Sequence, residues 1–482
     1  MKPLSPLTRA EATDYRETSA HADVLAFLDA LKASGAPLRL ESLGRSSEGR
    51  EIPLVIAGTG PLVVYVQANI HAGEVEGKEA ALMLLRDLLS KDPKKLLQKL
   101  TLLVAPIYNA DGNEKWGDGR VNRGHQDGPA RVGVRANGQG LDLNRDCIKA
   151  ESPEMRGVLE KVYNACSPDV VLDLHTTNGT RHGFDLTDAP PLHPNTSPGV
   201  LAYSRDELLP GVHRKLFKER GWKLFDYGNA ERRGTETVWA SFGEEGRYVT
   251  NYAGLRGAVG ILSEAVSFLP FKFRVETTYR FVEATLEAVA KDAGKIRALR
   301  AERVLPKELG VRFELASRGK GEEIRLEVPR PEAQIDQTKA PTEWETKRLP
   351  VWDRFAPTRT ARVPKFYLVP KSLGPAIALL RRHGIPLERL PQEWNGKVEV
   401  FTVAERVQAP TFQGHRLNRL EGGWATQEIS LPAGTLKVPT GGPLGRLAFH
   451  LLEPESLDGL AAWNFLDDSL AVGAAYPIVK VF

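Results

Sequence analysis

His71 and Glu74, in His71-Ala72-Gly73-Glu74, stand just past a short apolar run, Leu62-Val63-Val64-Tyr65-Val66. At the carboxyl end of a strand, a His and a Glu three residues apart can aim at one point. Catalytic zinc commonly takes three protein ligands, two His and one Glu among the recurring sets, and keeps a fourth position for water. The pair alone is a weak signal, because a Glu at a helix start also complements the helix dipole. A third ligand has to come from another strand end, and Leu172-Asp173-Leu174-His175 offers one. His175 closes an apolar run and leads into Thr176-Thr177-Asn178-Gly179, where an open α/β sheet has its binding crevice. Standing alone it would read as a satisfied structural histidine; beside His71 and Glu74 it completes a metal set.

Three further groups fit chemistry around such a metal. Asn144 and Arg145 follow Gly138 and Gly140 in Leu141-Asp142-Leu143-Asn144-Arg145-Asp146. An arginine fork matches a carboxylate and an asparagine adds a neutral donor. The plainer alternative is a surface arginine in a charged turn. Upstream, Arg135 could polarise a carbonyl and hold a developing oxyanion, with Arg131 a less favoured candidate. Glu264 ends the apolar run Gly260-Ile261-Leu262-Ser263. A carboxylate is costly to bury there unless it is paired or functional, so it suits a general base acting on water beside the metal. A partly exposed strand-end glutamate is the alternative.

The elements that must hold these groups alternate. Thr18 to Ala33 has a helical apolar face of Val24, Phe27, Leu28 and Leu31. The run at 62–66 follows Gly58-Thr59-Gly60-Pro61 and predicts a buried strand. Helical spacing returns at Ala81, Leu84, Leu85 and Leu88. Leu102–Pro106, Val170–Leu174 and Val259–Leu262 predict further buried strands, and a long helix is expected from about Val275 to Leu299. The expected fold class is α/β, a mixed, mostly parallel sheet flanked by helices, with a smaller C-terminal β-rich domain. Past residue 303 the texture changes to alternating runs, Val311–Leu315 and Ile324–Val328, broken by Pro and Gly. Arg330 to Glu345 reads as a linker or long loop. Strands are expected at Lys397–Val403 and Arg446–Leu452, with one short helix between Pro375 and His383. His182 to Pro198, rich in proline, is expected as a loop over the site.

Composition bounds the rest. The 482 residues suggest about three domains on a ~150-residue prior. A single α/β catalytic unit runs longer than that prior, so two are expected: 1–303, catalytic, and 304–482, β-rich. Charge balances at 65 Lys+Arg against 61 Asp+Glu, which disfavours a nucleic-acid partner. No run approaches about eighteen apolar residues, so no membrane span is expected. Cys147 and Cys166 cannot build a disulfide framework and read as buried thiols. Met1–Ser5 lacks the apolar stretch of a secretory signal, so the expectation is cytoplasmic unless an export signal has been removed.

Taken in order and spacing, His71-x-x-Glu74, Arg135, Asn144-Arg145, His175 and Glu264 resemble the zinc carboxypeptidase family, the carboxypeptidase A-like metallopeptidases, over roughly residues 15–300. The run Arg135-x-Asn137-x-x-Gly140-x-Asp142-x-Asn144-Arg145 is especially similar to its bacterial members. The resemblance implies that His71, Glu74 and His175 ligate Zn2+, and that Glu264 is the general base, then proton donor to the leaving amine. It further implies that Arg135 polarises the scissile carbonyl, Asn144 and Arg145 hold the terminal carboxylate, and Asp142 orients a ligand histidine. For the family's mobile tyrosine both Tyr248 and Tyr252 qualify, and Tyr252 is slightly favoured. The expected substrate is a peptide or acyl-amino acid with a free carboxylate. The rivals are an N-acyl amino acid deacylase of the aspartoacylase type and a binding protein that keeps the fold without turnover.

Overall fold

A computed structural model describes residues 6–92, 94–177, 179–301, 304–329, 331 and 335–482. Its centre is an eight-stranded sheet. In chain order the strands are β1 (Leu38–Arg45), β2 (Glu51–Ala57), β3 (Leu62–Ala68), β4 (Leu100–Ala105), β5 (Val170–Thr176), β6 (Leu186–Ala189), β7 (Leu224–Asp226) and, after a hairpin of β8 (Asn229–Arg233) and β9 (Glu236–Ala240), β10 (Val259–Ala265). Spatial order is β1-β2-β4-β3-β5-β10-β6-β7. The middle pairings β4–β3, β3–β5 and β5–β10 are parallel, as is β6–β7; the other three are antiparallel. The fold is thus the mixed α/β sheet flanked by helices that the alternating pattern implied.

The parallel strands are buried along nearly their whole length, which is why they read as continuous apolar runs. Helix α1 (His21–Ala33) and helix α2 (Glu76–Ser90), which crosses from β3 to β4, pack on one face with α3 (Phe271–Lys291). The turn into β3 needs Gly58, whose φ is +82° and where a Cβ would come within 2.3 Å of the Leu100 carbonyl oxygen. Gly77, in the first turn of α2, lets that helix sit against β5: a Cβ there would meet Leu174 Cβ at 2.8 Å. The predicted long helix is two, α3 and a separate helix Ala293–Ala301. The stretch expected as a loop from 182 to 198 instead contributes β6, all four residues buried, paired antiparallel to β10.

The C-terminal third is β-rich, as the alternating texture implied. The runs at 311–315 and 324–328, the latter but for Val328, lie on one twenty-residue strand, β11 (Glu308–Glu327), paired with β12 (Trp344–Arg362). Within the expected linker, Arg330 and 332–334 lie outside the described residues, and Trp344 and Glu345 already belong to β12. A six-stranded sheet carries β13 (Phe366–Val369), β14 (Trp394–Phe412), β15 (His415–Leu431), β16 (Leu436–Pro439), β17 (Val479–Val481) and the two-residue strand Glu388–Arg389. Helix α4 (Gly374–Arg382) occupies the predicted helical stretch.

One expectation fails outright. Arg446–Leu452, read as a strand, is part of helix α5 (Gly445–Leu452), buried almost all round. Leu447 to Leu452 is buried throughout, so the segment has no exposed face whose period could tell helix from strand.

The two halves share structure. Trp239 and Ala240 of β9 pair in parallel with Val351 and Trp352 of β12. Tyr65, Leu103 and Val171 of the central sheet share one apolar cluster with Leu380 of α4, Phe449 of α5 and Trp463. Burying a large apolar side chain contributes roughly 1.5–3 kcal/mol, so this seam is a main source of cohesion. Both cysteines are free, Cys147 buried and Cys166 half-buried. No helix among the described residues is long and apolar enough to cross a membrane.

Candidate active site

The carboxyl ends of β3, β5 and β10 lie side by side, and each delivers one part of the site. Past β3, the turn before α2 carries His71 and Glu74; β5 carries His175; β10 carries Glu264. In the β5–β10 register Glu264 pairs directly with His175, so their side chains leave the same face of the sheet. His71, Glu74 and His175 are all buried, and one ligand atom from each lies within 4.8 Å of the others.

The hydrogen bonds indicate which ring nitrogen each histidine offers. His71 Nε2 lies 3.1 Å from Asp142 Oδ1, and His175 Nε2 lies 2.7 Å from Asp173 Oδ2. His71 Nδ1 stands 3.2 Å from Arg135 Nη1 and 3.0 Å from Glu74 Oε1; with Nε2 donating to the Asp142 carboxylate, the neutral ring leaves Nδ1 free for a metal. His175 Nδ1 faces the same spot, 3.2 Å from His71 Nδ1 and 3.0 Å from Glu74 Oε2. Two Nδ1 atoms and a carboxylate converging, with carboxylates behind both rings, form a donor set that fits a divalent metal with two nitrogen ligands and one oxygen ligand.

The electrostatics agree. Burial would raise the Glu74 carboxyl, but His71, Arg123 and His175 together hold it well below the usual carboxylate range. Burial would lower His175, yet Asp173 and Glu74 outweigh it and raise the ring well above its ordinary value. Asp142 is likewise held far down, because His71, Arg135 and Arg145 outweigh its partial burial.

Glu264 differs from these carboxylates. Its Oε2 is buried without a hydrogen-bond partner among the described residues. Burial pushes its carboxyl up to about 8; the His175 ring pulls it down and the Glu74 carboxylate pushes it further up. An acid poised near neutrality is suited to taking and returning a proton.

Arg135, Asn144 and Arg145 line the same pocket as His71, Glu74, His175 and Glu264. Arg135 Nε donates to Asp142 Oδ2 at 2.9 Å. Asn144 Oδ1 accepts the Val249 N–H at 3.1 Å, and the Arg145 guanidinium lies 4.5 Å from the centroid of the Tyr248 ring. Arg131, the weaker candidate, lies outside this pocket, on the short strand Arg131–Val132.

Tyr248 lines the pocket and Tyr252 does not. Tyr252 is fully buried one helical turn on; its hydroxyl lies 2.7 Å from His383 Nδ1 and accepts from Arg256 at 3.0 Å. The slight preference for Tyr252 is therefore corrected: its hydroxyl is spent inside the core, and Tyr248 occupies the wall beside Arg145.

Three neighbours carried no assigned role in the sequence reading. Asp173 sits two residues before His175 on the same strand, so both project from one face; an Asp-x-His in an apolar strand was the available signal. Arg123 Nη1 bonds Glu74 Oε1 at 3.0 Å from a loop with no motif around it. Gln413, from the C-terminal third, reaches Asp142. Beyond Arg145 and Tyr248 a larger cavity of about 780 Å³ opens, walled by Glu244 and Arg247 on one side and by Pro410, Phe412 and Leu417 on the other.

Residues 24–161 match the family model for zinc carboxypeptidases. A curated relative, carboxypeptidase 2 of Trichophyton tonsurans, is 24% identical over 487 residues, covering 91% of this chain and 81% of that one. Carboxypeptidase 2 of Trichophyton rubrum is 23% identical with the same coverage. Among solved structures, a metallo-carboxypeptidase from Pseudomonas aeruginosa in complex with (2-guanidinoethylmercapto)succinic acid is 20% identical, with a TM-score of 0.42, over 57% of this chain and 69% of that one. The metallo-carboxypeptidase from Burkholderia cenocepacia gives 18%, a TM-score of 0.41 and the same coverage.

Proposed function

Starting from a metallopeptidase that carries a zinc carboxypeptidase domain, we propose that this chain removes the C-terminal residue of a peptide by hydrolysis. The observation that carries this reading is one pocket in which the His71–Glu74–His175 donor set shares a lining with Arg145 and with Glu264, whose Oε2 has no partner among the described residues. His71 Nδ1, Glu74 and His175 Nδ1 would hold a zinc ion, which would supply Lewis acidity to the scissile carbonyl and to nearby water. Arg145 and Asn144 bind the terminal carboxylate, Arg145 as a charged fork and Asn144 through its amide. Tyr248, stacked on Arg145, closes that grip. Arg135 donates to the carbonyl oxygen as negative charge grows there. Glu264 takes a proton from the attacking water, the C–N bond breaks, and the same carboxyl returns the proton to the departing amine. The cavity beyond Arg145 gives the released residue's side chain room.

Paired peptides with a free or an amidated C-terminus, given to the zinc-loaded protein, test this. Release of one residue from the free-carboxylate member alone is expected. Hydrolysis confined to acyl-amino acids would replace the reading with a deacylase, and zinc binding without hydrolysis of either class would leave a binding protein.

A further inference from the structure

Strands β14 and β15 form a long hairpin whose half-buried tip, Phe412-Gln413-Gly414-His415, bonds to the loop that carries Asp142. The two loop residues have φ of +49° at Gln413 and +82° at Gly414, the left-handed pair that a tight two-residue hairpin requires. Glycine adopts that conformation freely; glutamine does so at a cost, and such strain persists where surrounding contacts fix it.

Those contacts are specific. Gln413 Oε1 accepts the Asp142 backbone N–H at 2.9 Å. On one flank of the tip, His415 Nε2 lies 2.9 Å from Glu151 Oε1. On the other, the Arg247 guanidinium lies 5.2 Å from the Phe412 ring centroid and pairs with Asp458 at 2.9 Å. Asp142 in turn divides its carboxylate. Oδ1 takes His71 Nε2 at 3.1 Å and the Asn144 N–H at 2.9 Å; Oδ2 takes Arg135, with Arg145 3.8 Å away. One backbone amide thus links the hairpin tip to the carboxylate that aims a metal ligand and both candidate substrate arginines.

We propose that Gln413 is a positioning residue of the active site: by accepting the Asp142 N–H it fixes the Asp142 carboxylate, and through it the His71 imidazole, so the C-terminal hairpin is a working part of the metal pocket. The metal-affinity readout rests on the zinc reading above; the amide-exchange readout does not.

Gln413→Gly in the full chain is the decisive variant, because it keeps the left-handed turn and removes only the acceptor. In the metal-free protein, hydrogen exchange at the Asp142 amide should accelerate about tenfold or more. Zinc affinity, by chelator competition, should fall several-fold, less than the roughly 10–100-fold expected from removing a group that bonds a ligand directly. Gln413→Glu, which keeps an acceptor oxygen, should recover most of both. Arg416→Ala, an exposed change on the same hairpin, should alter neither.

Wild-type exchange and zinc affinity in Gln413→Gly would overturn the inference while leaving the hydrolase reading intact. So would losses that Gln413→Glu does not recover. A wild-type chain that binds zinc but hydrolyses nothing would sink the hydrolase reading, and the exchange comparison would still decide this one.

Discussion

The strand-end pocket and the C-terminal hairpin meet at Asp142, yet they are built on opposite principles. In the pocket, the candidate metal set and Glu264 ride on strand ends of the central sheet and the turn after β3, and they arrive with short local signatures: His71-x-x-Glu74, and a His or Glu closing an apolar run. The hairpin brings Gln413 from more than 270 residues away with no signature beyond a turn. Position in the first case comes from sheet register, in the second from docking. Groups set by register are therefore expected to fail through chemistry, and groups set by docking through geometry.

The sharpest way to break that contrast is at Glu264. Glu264→Gln keeps the shape and removes the base, so kcat should fall on the order of 10²–10⁴-fold with zinc still bound; turnover near wild type would remove Glu264 from its role. The same variant has a pH signature in the metal-free protein. Native Glu264 holds its proton up to about pH 8, whereas an unfolded carboxyl releases it near its ordinary value of 4.5. Wild-type stability from this group is thus present at low pH and lost as pH rises across that window. Denaturant midpoints should show Glu264→Gln gaining on wild type between pH 5 and pH 8, and parallel curves would contradict the burial assigned to Glu264.

Next in size is Asp173→Ala. It leaves every proposed ligand in place and should weaken zinc binding by about 10–100-fold in chelator competition, because the His175 ring loses its orienting carboxylate. Unchanged affinity would mean that strand geometry alone aims His175.

The smallest effect separates two tyrosines four residues apart. Tyr252→Phe should cost about 1–3 kcal/mol in unfolding free energy, by stranding buried partners on His383 and Arg256, and leave kcat/KM intact. Tyr248→Phe should lower kcat/KM and leave stability nearly unchanged. If the pair behaves the other way round, the placement of Tyr248 at the pocket wall has no functional weight.

Much of the pocket was legible because a metal set needs particular side chains at particular spacings, and strand ends bring them together without long-range information. The central strands were legible for a related reason: burial on both faces writes itself as an unbroken apolar run. Where burial is complete but the run is short, that rule turns ambiguous, and α5 shows it at 445–452. Tyr248 and Tyr252 could not be ranked from sequence, since only the partners of each hydroxyl, one of them His383 in the C-terminal half, decide which is free. Arg123 and Gln413 left no trace because a loop arginine and a turn glutamine acquire meaning only from what they touch.

The direct pairing of Glu264 with His175 carries one more consequence. Neighbouring strands stand about 4.8 Å apart wherever they hydrogen-bond. The interval between the proposed base and its neighbouring metal ligand is therefore ruled by the backbone, and substitutions elsewhere change it little. On the proposed mechanism, that gap belongs to the sheet and not to the loops or the docked hairpin around it.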